Sequence, residues 1–227
     1  MKSTLRATRN WGHVVGRLAV LVPISVAASR TPGQHWVTSW AMRQWCAGSC
    51  NGLRIQRELI GGDRLARTPQ CVFVANHLSQ LDIIVLGSFL RRDYRWLAKA
   101  PLFKVPLLGW HLAAAGHIPV YRGDERHKNA DLAERVHAVV TQGASLLFFP
   151  EATRSRDGHL KPFKIGAFMT AVTEALPVVP LVLRGTHELM EPGSRDLDIR
   201  ADKACSVTVL DPIYPLSSGE PKSRAGA

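Results

Sequence analysis

Two residues set five apart, His77 and Asp82 in the run Asn76-His77-Leu78-Ser79-Gln80-Leu81-Asp82, have the types needed for general-base catalysis. If one ring nitrogen of His77 meets the Asp82 carboxylate and the other faces a cleft, the imidazole can take a proton from an incoming hydroxyl. The carboxylate then fixes the tautomer and stabilises the imidazolium. This is a Ser-His-Asp arrangement without its serine, so the activated hydroxyl belongs to the substrate. No G-x-S-x-G nucleophile motif accompanies it. Taken alone, the spacing also has a purely structural explanation, in which Asp82 caps a helix and His77 ends a strand.

Two further clusters give the pair company. Phe149-Pro150-Glu151-Ala152-Thr153-Arg154-Ser155 follows the apolar run Ser145 to Phe149. Its Glu151, Thr153 and Arg154 suit a phosphate and a glycerol-like hydroxyl, with the Arg154 guanidinium offering forked, charge-assisted hydrogen bonds. The bland alternative is a surface turn with an internal Glu151/Arg154 ion pair. Gly116-His117-Ile118-Pro119-Val120-Tyr121-Arg122 places another arginine after a short apolar run. With Lys99 and Arg154, Arg122 can build an electropositive pocket for a phosphomonoester.

The elements that must position these residues are legible as alternating strands and helices. Strands are predicted at Leu53 to Ile60, Cys71 to Ala75, Tyr94 to Ala98, His117 to Tyr121, Ser145 to Phe149, Val178 to Leu183 and Ser206 to Leu210. Helices are predicted at about Ser79 to Leu90, where Ser79 and Asp82 form a capping box, at Glu125 to Gln142 and around Gly166 to Ala175. A further helical stretch, Phe103 to Ala115, is broken by Pro106 and Gly109. The pattern implies an α/β fold with a largely parallel central sheet flanked by helices. In such sheets chemistry collects at the carboxyl ends of the strands, which is where all three clusters fall. The tail from Ser217 to Ala227 has the composition of disorder.

At 227 residues and 46% apolar composition, the chain has room for one catalytic domain, residues 53–216, with an N-terminal appendage, residues 1–52. The net charge of +11 is concentrated there. Of 29 Lys and Arg residues, eight lie at or before Arg57, a stretch with no Asp or Glu, and the remaining 21 face 18 acidic residues. A basic arm suits an anionic membrane or a nucleic acid. The uncharged run Leu18 to Ala28, followed by Trp36, Trp40 and Trp45, favours the membrane headgroup boundary. As a helix, that run at ~1.5 Å per residue reaches roughly half of a ~30 Å hydrocarbon core. The arm therefore reads as a monotopic anchor of two short helices, with a secretory signal peptide as the rival reading. The four cysteines form no metal-binding spacing, and Cys71 and Cys205 read as small core residues.

Taken together, the chain resembles the lysophosphatidate acyltransferase family, the PlsC-like glycerophospholipid acyltransferases. The resemblance rests on four ordered blocks, NHLSQLD, GHIPVYR, FPEATRS and LPVVP, with the stretch Lys99 to Gly109 similar to the family's linker; it covers about residues 70 to 185. It implies that His77 and Asp82 are catalytic, and that Asn76, Lys99, Arg122, Glu151, Thr153 and Arg154 bind the phosphate-bearing acceptor. The implied reaction carries a fatty acyl group from acyl-CoA or acyl carrier protein to the sn-2 hydroxyl of 1-acyl-sn-glycerol-3-phosphate, giving phosphatidate. It involves no cofactor, no metal and no nucleic acid. The implied location is the cytoplasmic face of an inner membrane. Another lysolipid acceptor, such as a lyso-aminolipid, and a non-enzymatic lipid-binding protein are the alternatives. Two positions depart from the family pattern: Ala152 stands where glycine is usual, and Pro101 replaces an acidic residue.

Overall fold

The computed structural model describes residues 2–31, 33, 35–155, 157–190, 196–200 and 202–215. The predicted disordered tail lies outside them. In chain order the elements are α1 (Lys2–Ala28), α2 (His35–Gly52), β1 (Gln56–Ile60), α3 (Asp63–Arg67), β2 (Val72–Ala75), α4 (Asp82–Phe89), β3 (Tyr94–Lys99), α5 (Leu108–Ala114), β4 (Ile118–Val120), α6 (Leu132–Thr141), β5 (Ser145–Phe148), α7 (Gly166–Thr173), β6 (Val178–Arg184) and β7 (Ala204–Val209). Two 3-10 helices, Ala100–Lys104 and Gly123–Asn129, precede α5 and α6.

The strands form one seven-stranded sheet in the order β1-β7-β6-β2-β5-β3-β4. Strands β2 to β6 are mutually parallel; β7 runs antiparallel to β6, and β1 is parallel to β7. The largely parallel sheet expected from the alternation is therefore present. Strand β2 shows why its sequence is wholly apolar: Val72 and Val74 enter the core under α6 and α7, while Phe73 and Ala75 enter the core under α2 and α4. A strand buried on both faces has no polar side to display. Each large side chain buried this way contributes about 1.5–3 kcal/mol.

The helical stretch expected over Phe103 to Ala115 divides as its breakers suggest, into the first 3-10 turn and α5. Gly109 is needed at the junction, since a Cβ there would lie 2.1 Å from the Phe103 carbonyl oxygen. The helix expected over Glu125 to Gln142 likewise divides, and only Leu132–Thr141 is α-helical.

The N-terminal segment differs from the expected pair of short helices. Helix α1 runs unbroken for 27 residues with Pro23 inside it, and α2 for 18. An internal proline costs a helix about 3 kcal/mol, so other contacts must offset it. Helix α1 buries Ala7, Asn10, Val14, Leu18, Val22 and Ser25, a stripe spaced by three and four residues. Polar ties fix both ends: Asn10 Nδ2 donates to the Leu197 carbonyl at 2.7 Å, and Ser25 Oγ lies 2.9 Å from His111 Nδ1. Residues Leu5–Ala28 are long and apolar enough to cross a membrane by length and composition. A helix tied to the domain from Asn10 to Ser25 nevertheless lies along it.

Candidate active site

Strands β2, β5, β3 and β4 are neighbours and run the same way, so their carboxyl ends open along one edge of the sheet. His77 follows β2, Glu151 follows β5, Lys99 ends β3 and Arg122 follows β4. Segments far apart in the chain converge there because the sheet order interleaves them.

His77 Nδ1 lies 2.7 Å from Asp82 Oδ2. The same oxygen accepts the backbone N–H groups of Leu78 at 2.7 Å and Ser79 at 2.9 Å, while Asp82 Oδ1 accepts the Thr186 hydroxyl at 2.6 Å. Asp82 is fully buried, whereas the His77 side chain keeps 16% exposure, so the pair is rooted in the core with the imidazole reaching solvent. Phe149 stacks on the imidazole with ring centroids 4.2 Å apart. With Nδ1 committed to the carboxylate, Nε2 is the nitrogen available to a substrate proton.

The capping box expected at Ser79 forms only in part. Asp82 does accept the Ser79 N–H, but Ser79 Oγ accepts from Leu81 N at 3.3 Å, not from Asp82 N. The helix itself begins at Asp82, not Ser79. The physical reason is that residues 77–79 wrap around the carboxylate as a loop, which holds His77 folded back against it.

A second set of bonds joins the loop after β2 to the loop after β5. Glu151 is buried; Oε1 accepts His77 N at 2.7 Å and Oε2 accepts Lys161 N at 2.9 Å. Ser155 N donates to the His77 carbonyl at 2.7 Å. Asn76 is also buried, and its side-chain amide exchanges two hydrogen bonds with the Leu183 backbone at 3.0 and 2.7 Å. Thus Asn76 and Glu151 are committed to backbone partners, whereas Lys99, Arg122, Thr153 and Arg154 are exposed.

Lys99, Arg122 and Arg154 form a cationic group. Partial burial, and then the charges of Arg122 and Arg154, lower the Lys99 pKa from its ordinary value; desolvation also lowers that of Arg122. Among the described residues none of the three has a carboxylate partner, so the Glu151/Arg154 ion pair of the bland alternative is not formed. Cations gathered without a counterion are suited to an incoming anion.

Arg122 Nη1 donates to the Ala152 carbonyl at 2.5 Å. Ala152 adopts φ 61°, the left-handed region in which glycine is unstrained. We expect Ala152→Gly to raise stability by about 0.5–1 kcal/mol, a rise of roughly 1–4 °C in the unfolding midpoint for a chain of this size. A lower midpoint by differential scanning fluorimetry would contradict this.

Sequence reasoning missed three residues here. Thr186 lies beyond β6, 104 positions from Asp82, and only the β2/β6 pairing brings it close. Lys161 Nζ donates to the Arg154 carbonyl at 2.7 Å and to Thr153 Oγ1 at 3.3 Å; the basic run Lys161-Pro162-Phe163-Lys164 was its only signal. Phe149 was legible as a strand end but not as the imidazole's stacking partner.

The sequence profile of the family described as Acyltransferase matches residues 56–184. The chloroplastic 1-acyl-sn-glycerol-3-phosphate acyltransferase of Brassica napus is 42% identical over 144 residues, covering 63% of this chain and 41% of that protein. The 1-acyl-sn-glycerol-3-phosphate acyltransferase of Saccharomyces cerevisiae is 33% identical over 159 residues, covering 66% and 52%. The chain thus spans about half or less of the length of these relatives. The crystal structure of the 1-acyl-sn-glycerophosphate acyltransferase PlsC from Thermotoga maritima is similar with a TM-score of 0.76 at 18% identity, covering 94% of this chain and 87% of that one. At that identity the likeness concerns the fold.

Proposed function

The chain belongs to the acyltransferase family, and from that premise we propose that it acylates the sn-2 hydroxyl of 1-acyl-sn-glycerol-3-phosphate, using acyl-CoA or acyl carrier protein and giving phosphatidate. The observation that carries this reading is the 2.7 Å His77–Asp82 pair at the same sheet edge as the cations Lys99, Arg122 and Arg154, which have no carboxylate partner among the described residues. A base that activates a hydroxyl stands beside a site for a phosphate, and lysophosphatidate carries both groups on one glycerol.

In this reading His77 Nε2 removes the acceptor's hydroxyl proton as the oxygen attacks the thioester carbonyl. The tetrahedral intermediate collapses with cleavage of the C–S bond, and the imidazolium returns its proton to the departing thiolate. A thiol of pKa about 8.5 is a good leaving group, so neither a covalent enzyme intermediate nor a cofactor is needed. Asp82 orients and stabilises the imidazolium. Glu151 and Asn76 act through the backbone, the first by locking the His77 loop to the Thr153 loop, the second by fixing the end of β2 to β6. Arg122, Arg154, Lys99 and Thr153 hold the phosphate and glycerol. The basic α1/α2 arm, with Trp36 and Val20 strongly exposed, brings this edge to the cytoplasmic face of a membrane.

Thiol release by purified protein, with acyl-CoA or acyl carrier protein as donor and competing lysolipid acceptors, tests the reading. We expect acceleration by lysophosphatidate and little by lysophosphatidylcholine; no acceleration with either donor would sink it. Arg122→Gln should lower kcat/KM for lysophosphatidate by about 10–100-fold, the loss of one charge-assisted bond. The KM for donor should stay within a few-fold, and Arg122→Lys should restore only part of the loss because it lacks the guanidinium fork.

A further inference from the structure

Away from the sheet edge, α1 and α2 border an open surface groove of about 520 Å³ whose lining includes Gly12, Gly16 and Val20 of α1 and Trp40 and Gln44 of α2. Gly12 and Gly16 are one helical turn apart, and a Cβ at either would meet nothing within 4 Å, so the floor of the groove is open. Two basic side chains, His13 and Arg17, also line it. They lie flat across α2: a Cβ at Gly52 would come within 1.7 Å of His13 Nε2, and one at Gly48 within 1.9 Å of Arg17 Nη1. Arg17 Nε donates to His13 Nε2 at 3.1 Å. Glycines at 48 and 52 are thus the notches that hold both basic groups against the helix pair.

Arg17 has no carboxylate partner among the described residues, and none is available on the arm, whose sequence contains no Asp or Glu before Glu58. A half-buried guanidinium with no carboxylate partner among the described residues lies beside a cleft of mixed polar and apolar lining. The cleft leads to Val20, 67% exposed, and Trp40, 40% exposed. A cation at one end and apolar walls beyond it match a phosphate with an attached hydrocarbon chain.

We propose that this groove binds an anionic glycerophospholipid of the membrane on which the arm docks, separately from the catalytic edge. The phosphate sits on Arg17, with the Gln44 amide beside it, and the first part of an acyl chain lies over Gly12 and Gly16 against Trp40. The proposal rests on the membrane reading given above. It makes docking selective for anionic bilayers through a built site and not through the arm's diffuse charge alone.

Gly16→Leu separates these two origins, because it fills the groove without altering charge, meets no protein atom at its Cβ and favours helix by roughly 0.8 kcal/mol. Binding of the full chain is measured by co-flotation with phosphatidylcholine vesicles and with phosphatidylcholine vesicles doped with phosphatidylglycerol. We expect wild type to prefer the doped vesicles. Gly16→Leu should cut that preference about tenfold while thiol release from soluble donor and acceptor is retained. Arg17→Gln should do the same, whereas Arg30→Gln, which removes an equal charge at an exposed position, should cost about fivefold at most. An unchanged preference in Gly16→Leu, or equal losses in the two arginine variants, overturns the groove while leaving membrane docking intact. Failure of wild type to bind either vesicle overturns both.

Discussion

Replacing His77 with alanine should reduce acyl transfer by about a thousandfold or more, within or above the roughly 10²–10⁴ range that a positioned general base contributes, and should leave the unfolding midpoint nearly unchanged. The loss follows from position. Among the groups around the Asp82 carboxylate, only the imidazole has a second nitrogen available to receive the acceptor's proton. The small stability effect follows from which atoms the substitution deletes. The bonds that join the two catalytic loops, His77 N to Glu151 Oε1 and Ser155 N to His77 O, belong to the backbone and survive in alanine. The stack on Phe149 is lost, worth about 0.5–1.5 kcal/mol, but the Leu78 and Ser79 N–H groups and the Thr186 hydroxyl still satisfy Asp82. The effect should appear in kcat with the KM for lysophosphatidate nearly constant, since the phosphate is held by other residues. A variant retaining more than a tenth of wild-type turnover would remove His77 from the mechanism.

The parts of this molecule that were legible in the sequence are those whose causes are local. CVFVA reads as a buried strand because both of its faces meet core, and the residues after it read as a site because parallel strands present their carboxyl ends together. Elements whose causes are distant were read less well. Pro23 argues against a long helix, yet α1 continues through it because a stripe from Ala7 to Ser25 finds partners on α2, on α5 and near Leu197. Ser79 has the chemistry of an N-cap, but the Asp82 carboxylate that should complete the box also serves His77, Leu78 and Thr186. Glu151 has the type of a substrate ligand, and its burial between two backbone N–H groups depends on a loop that sequence alone does not trace. Ala152 is the opposite case: a glycine usual at that position is compatible with either a positive φ or a close backbone approach, and the structure has the positive φ.

Asp82 should be far less tolerant than His77, and two substitutions distinguish its two duties. In alanine, the Leu78 and Ser79 N–H groups and the Thr186 hydroxyl lose their acceptor inside the core. Each unsatisfied buried group costs about 1–3 kcal/mol, so Asp82→Ala should lose about 3 kcal/mol or more of stability along with all measurable transfer. Asparagine is nearly isosteric and can direct its carbonyl at His77, Leu78 and Ser79 and its NH2 at the Thr186 oxygen, which a hydroxyl can accept. Asp82→Asn should therefore fold, with a loss of about 1–2 kcal/mol as charge-assisted bonds become neutral ones. Turnover should still fall by about 10²–10⁴-fold, because no negative charge remains to stabilise the imidazolium in the transition state. The two N–H groups of the loop orient the amide and so keep the Nδ1 proton in place. The loss in this variant is then electrostatic and not tautomeric, and it should not exceed that of His77→Ala. Chemical denaturation and thiol release on the same preparations decide the matter: an alanine variant as stable as wild type, or an asparagine variant as active, would show that the carboxylate does not hold the site in the way its four hydrogen bonds indicate.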